Sequence, residues 1–296
     1  MVKVGIVLPI ADQSGQPDPT WSRIKAVAIR AEDAGMDSLW LPDHVLFRSA
    51  SKPDRGLHEA WGILAAVAAV TSRVELGPLV AATPFRPPAL QAKIAATVDD
   101  VAGGRLILGL GCGWHEPEFR AFGYPYDHRV GRFEEALAVI LPLLRGERVT
   151  FRGRWVEVED AVLVPPPARR IPILIASTRE RMNRLTARHA DQWNAAWFGL
   201  PDDQWREELG ALDAACEAEG RDRSTLELTV GVSIEPVDAA NAPQSVPADP
   251  GAIADALDAW QAEGASHVQL QFAGSMDRLL EPVLDAVARW RATSRP

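Results

Sequence analysis

Two hydrophobic rhythms alternate along this chain. Short runs that are apolar on both faces (Val2–Leu8, Asp37–Leu41, Val74–Ala82, Arg105–Leu110) read as buried strands. Between them, apolar residues recur every three or four positions. Trp21–Ala34, His58–Thr71, Pro88–Val101 and Gly131–Leu144 therefore read as amphipathic helices, the first closed by Gly35. The rhythm breaks at Val149–Val158, which alternates around Gly153 as a β-hairpin does, and then at the triple proline 165–167. It resumes with strands at Ile171–Ala176, Gln192–Trp197, Leu226–Glu235 and His267–Phe272. Helices are expected at Arg179–Ala190, Asp202–Glu219, Ile253–Glu263 and Met276–Trp290, with a Pro/Asn/Ala-rich loop over 236–250.

Eight strand–helix units of this kind predict an α/β fold, a closed (β/α)8 TIM barrel. Residues 1–296 read as a single domain with a small β-hairpin inserted before the fifth strand. A doubly wound open sheet is the competing architecture. It favours a glycine-rich first turn, and Leu8-Pro9-Ile10-Ala11-Asp12 carries no such fingerprint.

Composition narrows the function. A formal charge of −9, from 40 acidic and 31 basic residues without a basic stripe, argues against a nucleic-acid partner. Two cysteines, Cys112 and Cys216, exclude a disulfide framework and a zinc site built from cysteine pairs. No histidine pair has metal-ligand spacing, so no metal is expected. The longest apolar run, around Ala60–Val70, is too short to span a bilayer, and the first residues are strand-like, with no signal-peptide pattern. A cytoplasmic protein with no membrane partner is the expectation.

In a barrel, chemistry sits where strands end. After the second strand, Asp43-His44 offers a general acid or base, or else a loop cap and a hydrogen-bonded histidine. After the third, Ala81-Ala82 would let a flat ligand approach the backbone, or simply pack the barrel. After the fourth, Gly109, Gly111 and Gly113 alternate. They fail the dinucleotide pattern G-x-G-x-x-G, because Trp114 stands at the third glycine, but they permit close backbone approach to a ligand. Cys112 has no nucleophile-elbow context. After the fifth strand, Ser177-Thr178-Arg179 opens a helix, either as an anion site or as a plain N-cap. Trp114 and Trp197 fall at strand ends and are ligand candidates; the other tryptophans read as core or rim.

Taken together, the segments Leu39–His44 (LWLPDH), Glu59–Val80, Phe85–Phe119, Phe122–Leu137 and Ala190–Asn194 resemble the bacterial luciferase-like family, in particular its coenzyme F420 (deazaflavin)-dependent branch. The resemblance covers most of the chain. It implies a flavin-like ring at the C-terminal mouth of the barrel and hydride transfer to or from a small-molecule substrate, in an assembly that is often a homodimer. FMN-dependent monooxygenase chemistry is the alternative within the family; a non-catalytic flavin-binding barrel is the alternative outside enzymes. By resemblance, His44 lies beside the ring as a proton-transfer group. Leu79 and Val80 form a third-strand bulge with a non-prolyl cis peptide. Asp43, Ala81, Gly109, Gly111 and Gly113 lie near the cofactor, and Ser177, Thr178 and Arg179 receive its phosphate. Phe85, Trp114 and Trp197 line the substrate side. Sugar-phosphate dehydrogenases of this group carry an acidic residue where Trp114 stands here, with Glu116 and Glu118 only nearby. The resemblance therefore does not extend to a glucose-6-phosphate-type reaction.

Overall fold

The computed structural model describes residues 1–11, 19–49, 52–241 and 244–293. Asp12 of the first turn, part of the 236–250 loop and the last three residues fall outside them. In chain order the first half comprises β1 (Lys3–Val7), α1 (Trp21–Asp33), β2 (Ser38–Leu41), β3 (Leu46–Ser49), β4 (Lys52–Gly56), α2 (Ala60–Val70), β5 (Glu75–Pro78), β6 (Ala81–Ala82), α3 (Pro88–Val101), β7 (Leu108–Gly111), α4 (Glu116–Phe122) and α5 (Arg129–Leu144). The second half comprises β8 (Val149–Arg152), β9 (Glu157–Ala161), β10 (Ile173–Ala176), α6 (Glu180–His189), β11 (Gln192–Phe198), α7 (Asp203–Ala218), β12 (Glu227–Glu235), β13 (Val246–Pro247), α8 (Pro250–Ala262), β14 (Ala265–Phe272) and α9 (Met276–Thr293).

Parallel pairing runs β5-β2-β1-β14-β12-β11-β10-β7-β6. The circle closes because β5 and β6 are two halves of one barrel strand. β5 pairs with β2 on one side and bridges Leu76 to Leu106 on the other, while β6 pairs Ala81 with Leu110 of β7. The result is the expected eight-position barrel wrapped by helices. Strands β2 and β7 are buried at every position, which is why they read as continuous apolar runs rather than alternating ones.

The predicted hairpin before the fifth strand is present as β8–β9, paired antiparallel from Val149↔Ala161 to Arg152↔Glu157. Three features depart from the expected pattern. The single strand expected over Val74–Ala82 is broken at Leu79-Val80. An unforeseen antiparallel hairpin, β3–β4, follows the second barrel strand. A short helix, α4, precedes the expected fourth-unit helix, opened by Pro117 and closed by Gly123 at φ +75°.

Inside the barrel a polar layer lies among the apolar ones. Ser38 Oγ lies 2.7 Å from His267 Nε2 and accepts from Trp40 Nε1 at 2.7 Å. Asn194 Nδ2 donates to Thr229 Oγ1 at 2.9 Å and to Gln269 Oε1 at 3.0 Å. These bonds satisfy most of the layer; His267 Nδ1 and Gln269 Nε2 are left without a partner among the described residues.

Candidate active site at the C-terminal mouth of the barrel

Barrel closure gathers the C-terminal ends of the strands around one cavity of about 720 Å³. That size suits a cofactor or small ligand. Leu79 and Val80 line it and pack from the strand break onto Val7, Trp40, Ile107 and Leu174. The peptide joining them is cis, as the resemblance implied, and a second non-prolyl cis bond, not anticipated, joins Ala196 to Trp197 at the end of β11. Trp197 lines the cavity and is partly exposed, and Trp114 stands exposed at the rim.

Several expected wall residues lie elsewhere. Ala81 is fully buried in the core, and its neighbour Ala82 lines the cavity instead, because side chains alternate along a strand. Gly109 is not a wall residue. A Cβ there would lie 2.1 Å from the Pro78 carbonyl oxygen, so this glycine serves the close approach of β5 and β7. Gly111 and Gly113 do line the cavity. Gly113 has φ +70°, and a Cβ on it would meet the Phe119 ring at 2.5 Å. Phe85 is removed from the substrate side. Its ring packs on Phe119 at 5.0 Å and on Tyr124 at 4.4 Å, and it borders a separate cavity of about 310 Å³.

Asp43 and His44, adjacent in sequence, do different work. The buried Asp43 carboxylate accepts from Ala82 N at 2.9 Å and from both terminal nitrogens of Arg86 at 2.7 and 2.9 Å. Burial pushes its carboxyl up, against the pull of Arg86 and the Ala82 amide. Both oxygens are thus engaged by protein, although Asp43 borders the cavity. The His44 Nδ1 lies 2.7 Å from Glu118 Oε1, and Glu118 Oε2 accepts from the backbone amides of Val45 (3.0 Å) and Leu46 (3.4 Å). Glu118 is 1% exposed. A carboxylate held by two amides is an acceptor, so Nδ1 carries the hydrogen and donates. That leaves Nε2 of a cavity-lining imidazole without a protein partner among the described residues.

The fifth-strand corner also divides its labour. The Ser177 hydroxyl donates to Asn183 Oδ1 at 2.7 Å and contacts Thr186 Oγ1 at 2.9 Å, which fixes α6 to the strand end. Thr178 and Arg179 are exposed and line the cavity where α6 begins. The first-turn N–H groups of that helix lack intrahelical acceptors by geometry, and no carboxylate among the described residues forms an ion pair with Arg179. Cys112 also lines the cavity, and burial pushes its thiol up, which disfavours a nucleophilic thiolate.

Sequence reasoning gave no role to four lining residues: Glu118, noted only as an acid near Trp114, and Arg129, Arg55 and Gln271. Arg129 donates to the Gly113 carbonyl at 2.8 Å and lies 4.1 Å over the Tyr126 ring, which fixes the fourth-strand loop. Gln271 lines the cavity with a buried Oε1 that has no hydrogen-bond partner among the described residues. The Pro117…Gly123 punctuation was the one available signal that Glu118 sits on a helix, four residues from Trp114.

A parallel eightfold barrel with an apolar patch, an oriented imidazole and an arginine at a helix start around one cavity defines a class: α/β barrels with a ligand-sized site at the C-terminal mouth. Within that class, the chain belongs to the luciferase-like monooxygenase family, whose model matches residues 2–291. It is 30% identical over 281 residues to an F420-dependent glucose-6-phosphate dehydrogenase of Kineococcus radiotolerans, covering 91% of this chain and 79% of that protein. It is 29% identical over 240 residues to the pyrimidine monooxygenase RutA of Allorhizobium ampelinum, covering 75% of this chain and 64% of that protein. Among solved structures, an F420-dependent secondary alcohol dehydrogenase in complex with an F420-acetone adduct superposes with a TM-score of 0.83 at 18% identity, over 100% of this chain and 99% of the other. At that identity the superposition speaks for the fold. No described helix is long and apolar enough to cross a membrane.

Proposed function

We propose that this chain is a coenzyme F420-dependent oxidoreductase that moves a hydride between the deazaflavin and a small organic substrate. The observation that carries the reading is the juxtaposition, around one cavity, of the Leu79-Val80 seat, the His44–Glu118 pair and the Arg179 helix start. Its relatedness to F420-dependent enzymes adds support.

The residues fit such a cofactor. An apolar floor and the small Gly111 and Gly113 leave room for a planar ring, while Thr178, Arg179 and the first-turn amides of α6 suit its phosphate. The unpartnered Gln271 Oε1 offers a hydrogen-bond acceptor to a ring N–H. When bound, the deazaflavin supplies two-electron hydride chemistry. The chain's own part is to bind, orient and exclude water. His44 Nε2 takes or returns the proton that accompanies the hydride, and Glu118 holds the imidazole in the tautomer this requires. Trp114 and Trp197 cover the substrate side. Asp43 contributes by bracing Ala82 and Arg86.

The second reading, an FMN-dependent monooxygenase, is favoured by the similarity to RutA. Titration separates the two. Oxidised and reduced F420 are expected to bind more tightly than FMN, and a micromolar or tighter preference for FMN overturns the proposal. An Arg179→Gln variant should lose about tenfold in F420 affinity, the value of one charge-assisted contact of about 1.5 kcal/mol.

A further inference from the structure

Four arginines line the main cavity: Arg23, Arg55, Arg129 and Arg179. Among the described residues, two carboxylates line it with them and both are committed, Asp43 to Arg86 and Glu118 to His44 and two backbone amides. Among the described residues the lining therefore has a cationic excess, in a chain of net charge −9. Arg23 pairs with Asp277 at 2.8 Å. Arg129 is engaged by the Gly113 carbonyl and the Tyr126 ring. Arg179 stands at the α6 start, proposed above for the cofactor phosphate.

Arg55 has no such duty. It lies on β4 of the unforeseen hairpin, with its guanidinium carbon 5.0 Å from the Phe47 ring centroid. Its Nε is shut off from solvent and has no hydrogen-bond partner among the described residues. The neighbouring Asp54 is held by Arg48 at 2.6 Å on the exposed part of the hairpin. Phe47 in turn contacts the His44 ring, with centroids 4.4 Å apart, and Trp114 lies 5.5 Å from His44. A cation with no ion pair among the described residues and the imidazole thus sit one aromatic ring apart, on Phe47.

We propose that Arg55 reads an anionic group on the substrate, a carboxylate or a phosphate ester, whose apolar body lies on Phe47 and Trp114 within reach of His44. This substrate class rests on the redox reading of the mouth, but Arg55 is a residue that reading does not need. Arg55 lines the cavity and pairs with no carboxylate among the described residues, and the planar fork of arginine suits the paired oxygens of both groups.

The test uses the full chain loaded with F420 and calorimetric titration with benzoate and phenyl phosphate, against neutral benzamide. The anions are expected to bind about tenfold more tightly than benzamide. Arg55→Gln should abolish that advantage and Arg55→Lys restore part of it, with F420 affinity unchanged in both. The stronger of the two anions identifies which head group the site prefers. Equal binding of benzoate and benzamide, an advantage that survives Arg55→Gln, or no saturable binding of either anion overturns the proposal. Loss of F420 affinity in Arg55→Gln also overturns it, by assigning Arg55 to the cofactor. Anion discrimination that depends on Arg55 in a wild-type protein unable to bind F420 upholds the proposal and defeats the cofactor reading alone.

Discussion

His267 is buried in the barrel interior between Ser38 and Trp40, and its ionisation is pushed down to about 3, first by desolvation and then by the charge of Lys3. The unfolded chain takes up this proton near pH 6.5, whereas the folded one does so only far lower. Between those values the unfolded state binds more protons, so stability falls as pH drops, by up to about 1.4 kcal/mol per unit. His267→Gln should therefore shrink the loss of stability between pH 7 and pH 5 by about 2 kcal/mol, measured by urea unfolding at both pH values. An undiminished slope would show that this imidazole does not remain neutral in the fold.

The His44–Glu118 pair makes a second prediction at the same scale. His44→Ala should lower turnover about a hundredfold, the usual contribution of a positioned proton-transfer group, with cofactor affinity preserved. Glu118→Gln keeps the shape but cannot hold the imidazole as an acceptor-only carboxylate does, and should fall partway, about tenfold. Steady-state kinetics beside F420 titration checks both. Unchanged turnover in His44→Ala removes the proton role. Sequence made His44 visible because it ends a strand, but not Glu118. The contact joins residues 74 positions apart through a helix that the pattern alone did not reveal.

Among the elements, α2 shows how a segment can depend on a distant residue. Its sequence AWGILAAVAAV has no basic residue in its last turn to cap the exposed carbonyls. Arg105, just before β7, supplies the missing donors: it bonds the carbonyls of Ala68 and Thr71 at 2.9 Å each and that of Val74 at 2.7 Å. Arg105→Met should cost about 3 kcal/mol, in line with the loss of charged hydrogen bonds to buried carbonyls. Chemical denaturation is the measurement, and a loss below 1 kcal/mol would show that water replaces the arginine. The strands were legible here because burial on both faces leaves continuous apolar runs. The β3–β4 hairpin was not, because Arg48, Asp54 and Arg55 give it a polar surface without clean alternation. The break at Leu79-Val80 follows Gly77-Pro78, a breaker signal that a strand reading over Val74–Ala82 passes over, and the family resemblance marked the place. Phe85, which the resemblance put on the substrate side, is carried by the 3-10 turn at Thr83–Phe85 into the Phe119–Tyr124 cluster.

For the whole molecule, cofactor preference is readable as stability. A ligand at a hundredfold excess over its dissociation constant stabilises the folded state by about 2.7 kcal/mol. For a chain of this size that corresponds to a rise in Tm of about 5 °C. F420 should produce that rise at a concentration where FMN produces less, measured by thermal unfolding followed through tryptophan fluorescence. The reverse order would assign the cavity to FMN. The same scale explains why net charge said little about the ligand. The −9 balance is spread over surface carboxylates, whereas the mouth gathers arginines from α1, β4, α5 and the start of α6. Only closure of the barrel brings those four together.

The division of one barrel rung into β5 and β6 carries a consequence for how such a protein can diversify. The seat at Leu79 and Val80 is part of the cylinder wall, held by β2 on one side and β7 on the other, so an exchange there disturbs the chassis together with whatever rests on it. The Phe47–Arg55 flap and Trp114 at the rim bear no such structural burden. New chemistries are therefore most readily fitted by retooling that flap and rim while the rung beneath stays as it is.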